Sequence, residues 1–162
     1  MTQDKPANHT IRLSILDRLI DERPGQQSEP ERSPNQVLDL AIEAVRRDLQ
    51  HLLNSRLSWV DDDVIAHAEV RRSIATFGIP DFTHENLENT DSRERVRAAI
   101  EHAVATFEPR LTDVIVKAEP LRAHERSLRY RIESVLWVEP LREPVTFDTV
   151  LQSTGVAEVL AV

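Results

Sequence analysis

Phe107-Glu108-Pro109-Arg110-Leu111 decides how this chain is read, because the hydrophobic period changes across it. Before it, Val96, Ile100, Val104 and Phe107 recur every three or four residues, with Ala99 and Ala103 beside them, which draws one face of a helix. Pro109 removes a helix hydrogen bond and biases Glu108 toward extended geometry, so the helix stops there. Beyond it the period is two. Val114, Val116 and Ala118 alternate with Asp113, Ile115 and Lys117. Leu128, Tyr130, Ile132, Ser134, Leu136 and Val138 alternate with Arg129, Arg131 and Glu133. Val145, Phe147 and Thr149 alternate with Thr146 and Asp148. These spacings predict three strands joined by short links, an antiparallel meander with one face against helices.

Working back toward the N-terminus, the helix before the junction is expected to begin near Asp91 or Ser92, with Glu94 completing a capping box. A third helix is expected from Asp61-Asp62-Asp63 to Phe77, stopped by Gly78. The strongest helical signal starts at Ser33-Pro34, a hydroxyl cap followed by a proline in the first turn. There Val37, Leu40, Ala41, Ala44, Val45, Leu49, Leu52 and Leu53 keep helical period through Arg56. A short stripe of Ile11, Ile15, Leu16, Leu19 and Ile20 predicts a further helix before a polar loop. The reading is therefore α+β: about four N-terminal helices on a small, mainly antiparallel C-terminal sheet of about three strands. Residues 1–36 form an arm and 37–162 a single domain. The arm either packs on its own domain or docks on a partner through Leu16 and Leu19.

Composition narrows the chemistry. The net charge of −8 disfavours a nucleic-acid binder, which needs clustered Lys and Arg against phosphate. With no cysteine there is no disulfide, thiolate zinc site or cysteine nucleophile, and with three glycines no Gly-rich phosphate loop. His9, His51, His67, His84, His102 and His124 are scattered without metal-ligand spacing. No apolar run approaches a membrane span, and the first ten residues predict no secretory signal. The expectation is a cytoplasmic protein without cofactor, metal or membrane insertion.

Glu108 and Arg110 lie two apart across a proline, on one side of an extended stretch. A neighbouring guanidinium stabilises carboxylate charge, the opposite of what an acid catalyst needs. Two uses remain: an internal salt bridge tying helix to sheet, or a fixed pair of charges that gives a partner register.

The order of motifs resembles the TssE family of type VI secretion baseplate wedge subunits, grouped with contractile-phage baseplate proteins once labelled lysozyme-like. The resemblance rests on Ser14-Ile15-Leu16-Asp17-Arg18-Leu19, Arg23-Pro24-Gly25, Asp48-Leu49 and Leu52-Leu53-Asn54-Ser55-Arg56. It continues through Phe77-Gly78-Ile79-Pro80-Asp81-Phe82, Phe107-Glu108-Pro109-Arg110-Leu111 and Val145-Thr146-Phe147-Asp148-Thr149. Ser55, Phe77 and Gln26 depart from the family's usual Thr, Tyr and acidic residue. The resemblance implies a structural subunit at the cytoplasmic face of the inner membrane. Its partners would be the wedge proteins TssF, TssG and TssK and the sheath proteins TssB and TssC, and it would start sheath polymerisation. It ties Glu108, Pro109 and Arg110 to assembly. To this the residue pattern adds an expected strand-pairing edge at Val145 to Thr149, with Val145 and Phe147 as contacts. The alternative is a peptidoglycan-degrading, lysozyme-like hydrolase.

Overall fold

A computed structural model describes Ile15, Leu19 and residues 33–57, 67–83, 89–120, 127–138 and 141–162. Among these the order is α1 (Pro34–Asn54), α2 (Thr90–Phe107), β1 (Leu111–Ala118), β2 (Ser127–Val138), β3 (Leu141–Gln152) and β4 (Ala157–Ala161). The four strands form one antiparallel sheet in the order β1-β2-β3-β4. The fold is α+β: two α-helices have described bounds, Ile15 and Leu19 of the expected N-terminal helix are helical as well, and four strands stand where three were expected. Helix α1 runs along β4 and α2 along β1, both on one face of the sheet.

Ser33 caps α1 through a reciprocal box: its hydroxyl accepts from Gln36 N–H, and the Gln36 side-chain Oε1 accepts from Ser33 N–H at 2.9 Å. One face of α1 buries Ala41, Ala44, Val45, Leu49, Leu52 and Leu53, the stripe expected from the sequence. The second helix begins one turn-position earlier than expected. Asn89 is its cap, accepting from Asp91 N–H at 2.9 Å, so the expected Asp91/Glu94 box does not form its start. From α2, Val96, Ile100, Ala103 and Val104 meet Leu128, Tyr130, Ile132, Leu136, Phe147 and Leu151 from the sheet in one core. Each large aliphatic buried there contributes about 1.5–3 kcal/mol.

The expected third helix is corrected over its described part. Asp61, Asp62 and Asp63 lie outside the described residues, and the chain after them forms two 3-10 turns, Val70–Arg72 and Ile74–Thr76. Ser73 and Thr76 hydroxyls both donate to the Val70 carbonyl, so side chains take acceptors that a longer helix would use. Neither turn buries a residue, and Ile74 is exposed.

The fourth strand departs from the expected three. In Val159-Leu160-Ala161-Val162 the apolar residues run on without a break, which hides the alternation. A turn through Gly155, at φ +87°, folds β4 back onto β3. With β4 in place, β3 is paired on both sides over Phe147 to Leu151, so the edge expected at Val145 to Thr149 is corrected: the outer strands are β1 and β4. The short first half of β3 extends past β4 and carries Pro144, which has no N–H to offer an added strand.

Candidate assembly interface

Helix α2 ends in a tight turn. Glu108 N–H donates to the Val104 carbonyl at 2.9 Å, and Leu111 N–H to the Glu108 carbonyl at 3.1 Å, closing the turn over Pro109 and Arg110. Trp137 N–H on β2 donates to the Arg110 carbonyl at 2.8 Å. Backbone alone thus fixes Arg110 between the helix end and the sheet.

The Arg110 side chain folds back. Its Nε donates to Glu108 Oε1 and its Nη2 to Glu108 Oε2, both at 2.7 Å, a two-pronged pair. The Arg110 N–H also donates to Oε1, at 3.3 Å. Nη2 reaches Asp48 Oδ2 on α1, and Asp48 Oδ1 in turn meets Arg47. Exposure grades along this chain of charges: 6% for the Glu108 side chain, 25% for Arg110 and 36% for Asp48. Burial, the largest influence on Arg110, works against its charge. Hydrogen bonds and charge from Glu108 and Asp48 outweigh that and hold its pKa above the ordinary guanidinium range. The result is a permanently charged arginine pinned to two carboxylates. The internal salt bridge, one of the two uses open from sequence, is formed.

Two other motifs quoted from the sequence, Phe77 to Phe82 and Leu52 to Arg56, meet beside this junction. Phe107 meets Phe77 edge to face, with ring centroids 5.2 Å apart. Next to Phe77, Gly78 stands at φ +117° because its backbone passes the Ser55 carbonyl. A Cβ there would lie 2.5 Å from that oxygen. The close pass allows Ile79 N–H to donate to Ser55 O at 3.1 Å and Leu57 N–H to Ile79 O at 3.0 Å. Arg56 then lies over the Phe82 ring, 5.0 Å from its centroid, and donates to the Gly155 carbonyl. An apolar cleft of about 150 Å³ opens between the Ile79–Phe82 turn and Val96 and Ala99 of α2.

The residues expected to bind partners fall in different places. Glu108 is buried, Arg110 half-buried and Pro109 exposed at the turn. Phe147 is fully buried and Val145 nearly so, both facing the helices, so neither side chain is open to a partner on this surface. Leu19 is helical and 75% exposed, one turn after the equally open Ile15; Leu16 lies outside the described residues. Asp48, the third member of the ion cluster, is not visible in the sequence as Arg110's partner. Sixty-two positions separate them, and only the fold brings them together.

No helix among the described residues is long and apolar enough to cross a membrane. A search of curated proteins gave no match. Residues 41–141, more than half of the chain and all of the junction, match the family described as baseplate wedge protein gp25. The chain therefore belongs to the baseplate wedge protein gp25 family, the family that includes TssE.

Proposed function

We propose that this chain is a baseplate wedge subunit of a type VI secretion system, joining TssF, TssG and TssK to the TssB–TssC sheath and starting its polymerisation. The family match carries the reading, since it spans the segment in which the junction is built. In this proposal the protein works by assembly rather than catalysis, at the cytoplasmic face of the inner membrane. Glu108 serves from inside, holding the Arg110 guanidinium in place. Pro109, Arg110 and Asp48 supply the part of the cluster that a partner meets. The exposed helical face of Ile15 and Leu19, with Leu16, docks a second wedge protein.

Strand addition by a sheath arm belongs on β1 in this reading, not on β3. An arriving strand would have to displace the α2 side chains Glu101 and Arg97, which bond the outward N–H and carbonyl of Val116 at 3.1 and 3.3 Å. Val145 and Phe147 act indirectly, by packing the sheet that presents that edge.

Co-purification from cells expressing the secretion cluster tests the proposal. The wild-type chain recovers wedge and sheath proteins. Leu19→Asp and Pro109→Ala, both at exposed positions, lose subsets of them while remaining folded. Recovery of neither class by the wild type sinks the reading, and turnover of cell-wall substrate by pure protein would put hydrolase chemistry in its place.

A further inference from the structure

An outer strand leaves a row of backbone N–H and carbonyl groups without partners, open to pairing with another chain. In β4 these outward groups belong to Ala157, Val159 and Ala161, since β3 takes the other side of the strand. Those of Ala157 and Val159 are nonetheless bonded, by side chains of α1. Asn54 Oδ1 accepts from Ala157 N–H at 3.0 Å, and Asn54 Nδ2 donates to the Ala157 carbonyl at 2.9 Å, joined there by Gln50 Nε2. Gln50 Oε1 accepts from Val159 N–H at 2.8 Å, and Arg46 Nη1 donates to the Val159 carbonyl at 3.2 Å. Glu43 holds the rest of the Arg46 guanidinium from one turn back along α1.

Arg46, Gln50 and Asn54 are four residues apart, so they stack along one line of the helix. Two carboxamides and a guanidinium supply the donors and acceptors that an incoming strand would present, in matching order.

The segment they cover would otherwise pair readily. Val159-Leu160-Ala161-Val162 is uncharged and apolar, and Leu160 and Val162 are exposed at 51% and 77%. A second copy could lie antiparallel along β4 about Val159, with Ala157 opposite Ala161, and fuse two sheets into one. We infer that Arg46, Gln50 and Asn54 form a surrogate strand that closes the β4 edge at Ala157 and Val159 against a second copy of this chain.

Amide hydrogen exchange and sedimentation on the full chain test this. The wild type sediments as a monomer, and the Ala157 and Val159 amides exchange as slowly as those of Glu158 and Leu160, which face β3. In Gln50→Leu/Asn54→Leu, similar in volume but without the amides, exchange at Ala157 and Val159 rises about ten-fold or more in dilute solution. At higher concentration the same variant forms a dimer. Asn54→Asp keeps the acceptor for Ala157 N–H and loses the donor, so it stays protected at Ala157, and this holds if the double variant does not fold. Fast exchange of both amides in the wild type overturns the inference. So does a folded double variant that stays monomeric over the same concentrations.

Discussion

Two sets of charges tie this molecule together, and they differ in surroundings more than in chemistry. At the junction, Glu108, Arg110 and Asp48 join α1, the end of α2 and the start of β1, with Glu108 almost fully out of water. On the outer face of the sheet, Lys117 meets Glu133 at 2.6 Å, and Arg131 meets Asp148 at 2.8 Å and Glu119 at 3.2 Å. Distances are alike, yet every member of the outer set keeps about a third or more of its side chain exposed. A buried carboxylate depends on its partner, because losing it leaves charge where water cannot reach. An exposed pair competes with water on nearly equal terms. The junction should therefore be a structural joint that also orients Arg110, whereas the outer ladder should shape a solvated surface.

Removing Arg110 is the largest break in that comparison. Arg110→Met keeps most of the side-chain volume and strands Glu108, and should cost about 3 kcal/mol, the lower end for a broken buried pair since Arg110 is itself a quarter exposed. Urea unfolding would show it as a lower midpoint at unchanged slope. A loss no larger than that of an outer-ladder variant would erase the distinction.

Tyr130 and Arg131 sharpen it further, as neighbours on β2 facing opposite sides. Tyr130 is 1% exposed, donates to the Arg93 carbonyl at 3.0 Å, and has its phenol pushed up to about 12 by burial. A folded pKa above the unfolded value near 10 means that the native state holds the proton longer. The stability from this group is complete below pH ~10 and falls away as pH rises through ~12, by up to about 3 kcal/mol. Tyr130 is the single tyrosine, so phenolate absorbance in the folded chain reads its titration directly. Tyr130→Phe should flatten that fall in stability; an ordinary titration near pH 10 would show the core open at this point.

Gly78→Ala tests how the junction is held from its far side. The change puts a Cβ against the Ser55 carbonyl at a backbone angle that L-residues avoid, at a cost of about 2 kcal/mol. Thermal unfolding checks it, and loss of the Arg56–Ile79 bridge should accompany it.

The sequence is most legible where one period governs a long run. The alternation from Leu128 to Val138 names the inward residues of β2, and the stripe from Ala41 to Leu53 names the buried face of α1. It is least legible where local chemistry overrules the period. Val70 and Ile74 have helical spacing, but Ser73 and Thr76 bend that segment into 3-10 turns. β4 is hidden because its second half, from Val159 on, is apolar on both faces, and without it β3 looks like an edge. Within the candidate site, Glu108 and Arg110 are visible as a pair two apart. The exposure gradient out to Asp48 is not, because only packing α1 against the helix–strand turn sets it. Arg46 and Gln50 read in the sequence only as part of the polar side of α1. Their role, with Asn54, needs β4 beside them.

The smallest expected effect sits on the outer ladder, where it is most informative as a contrast. Lys117→Met removes the partner of Glu133, but Glu133 stays well exposed and water replaces the lost ammonium. The change should fall within about 0.2–1 kcal/mol, and added salt should narrow it further, since screening already weakens an exposed pair. The same salt should leave the Arg110→Met deficit nearly intact, because the Glu108 carboxylate lies where counterions do not reach. A double comparison of urea midpoints, each variant against wild type at low and high salt, separates the two sets by their slopes with ionic strength as well as by size. Equal salt sensitivity would mean that Glu108 is reached by solvent, and the junction would then be a surface cluster like the ladder.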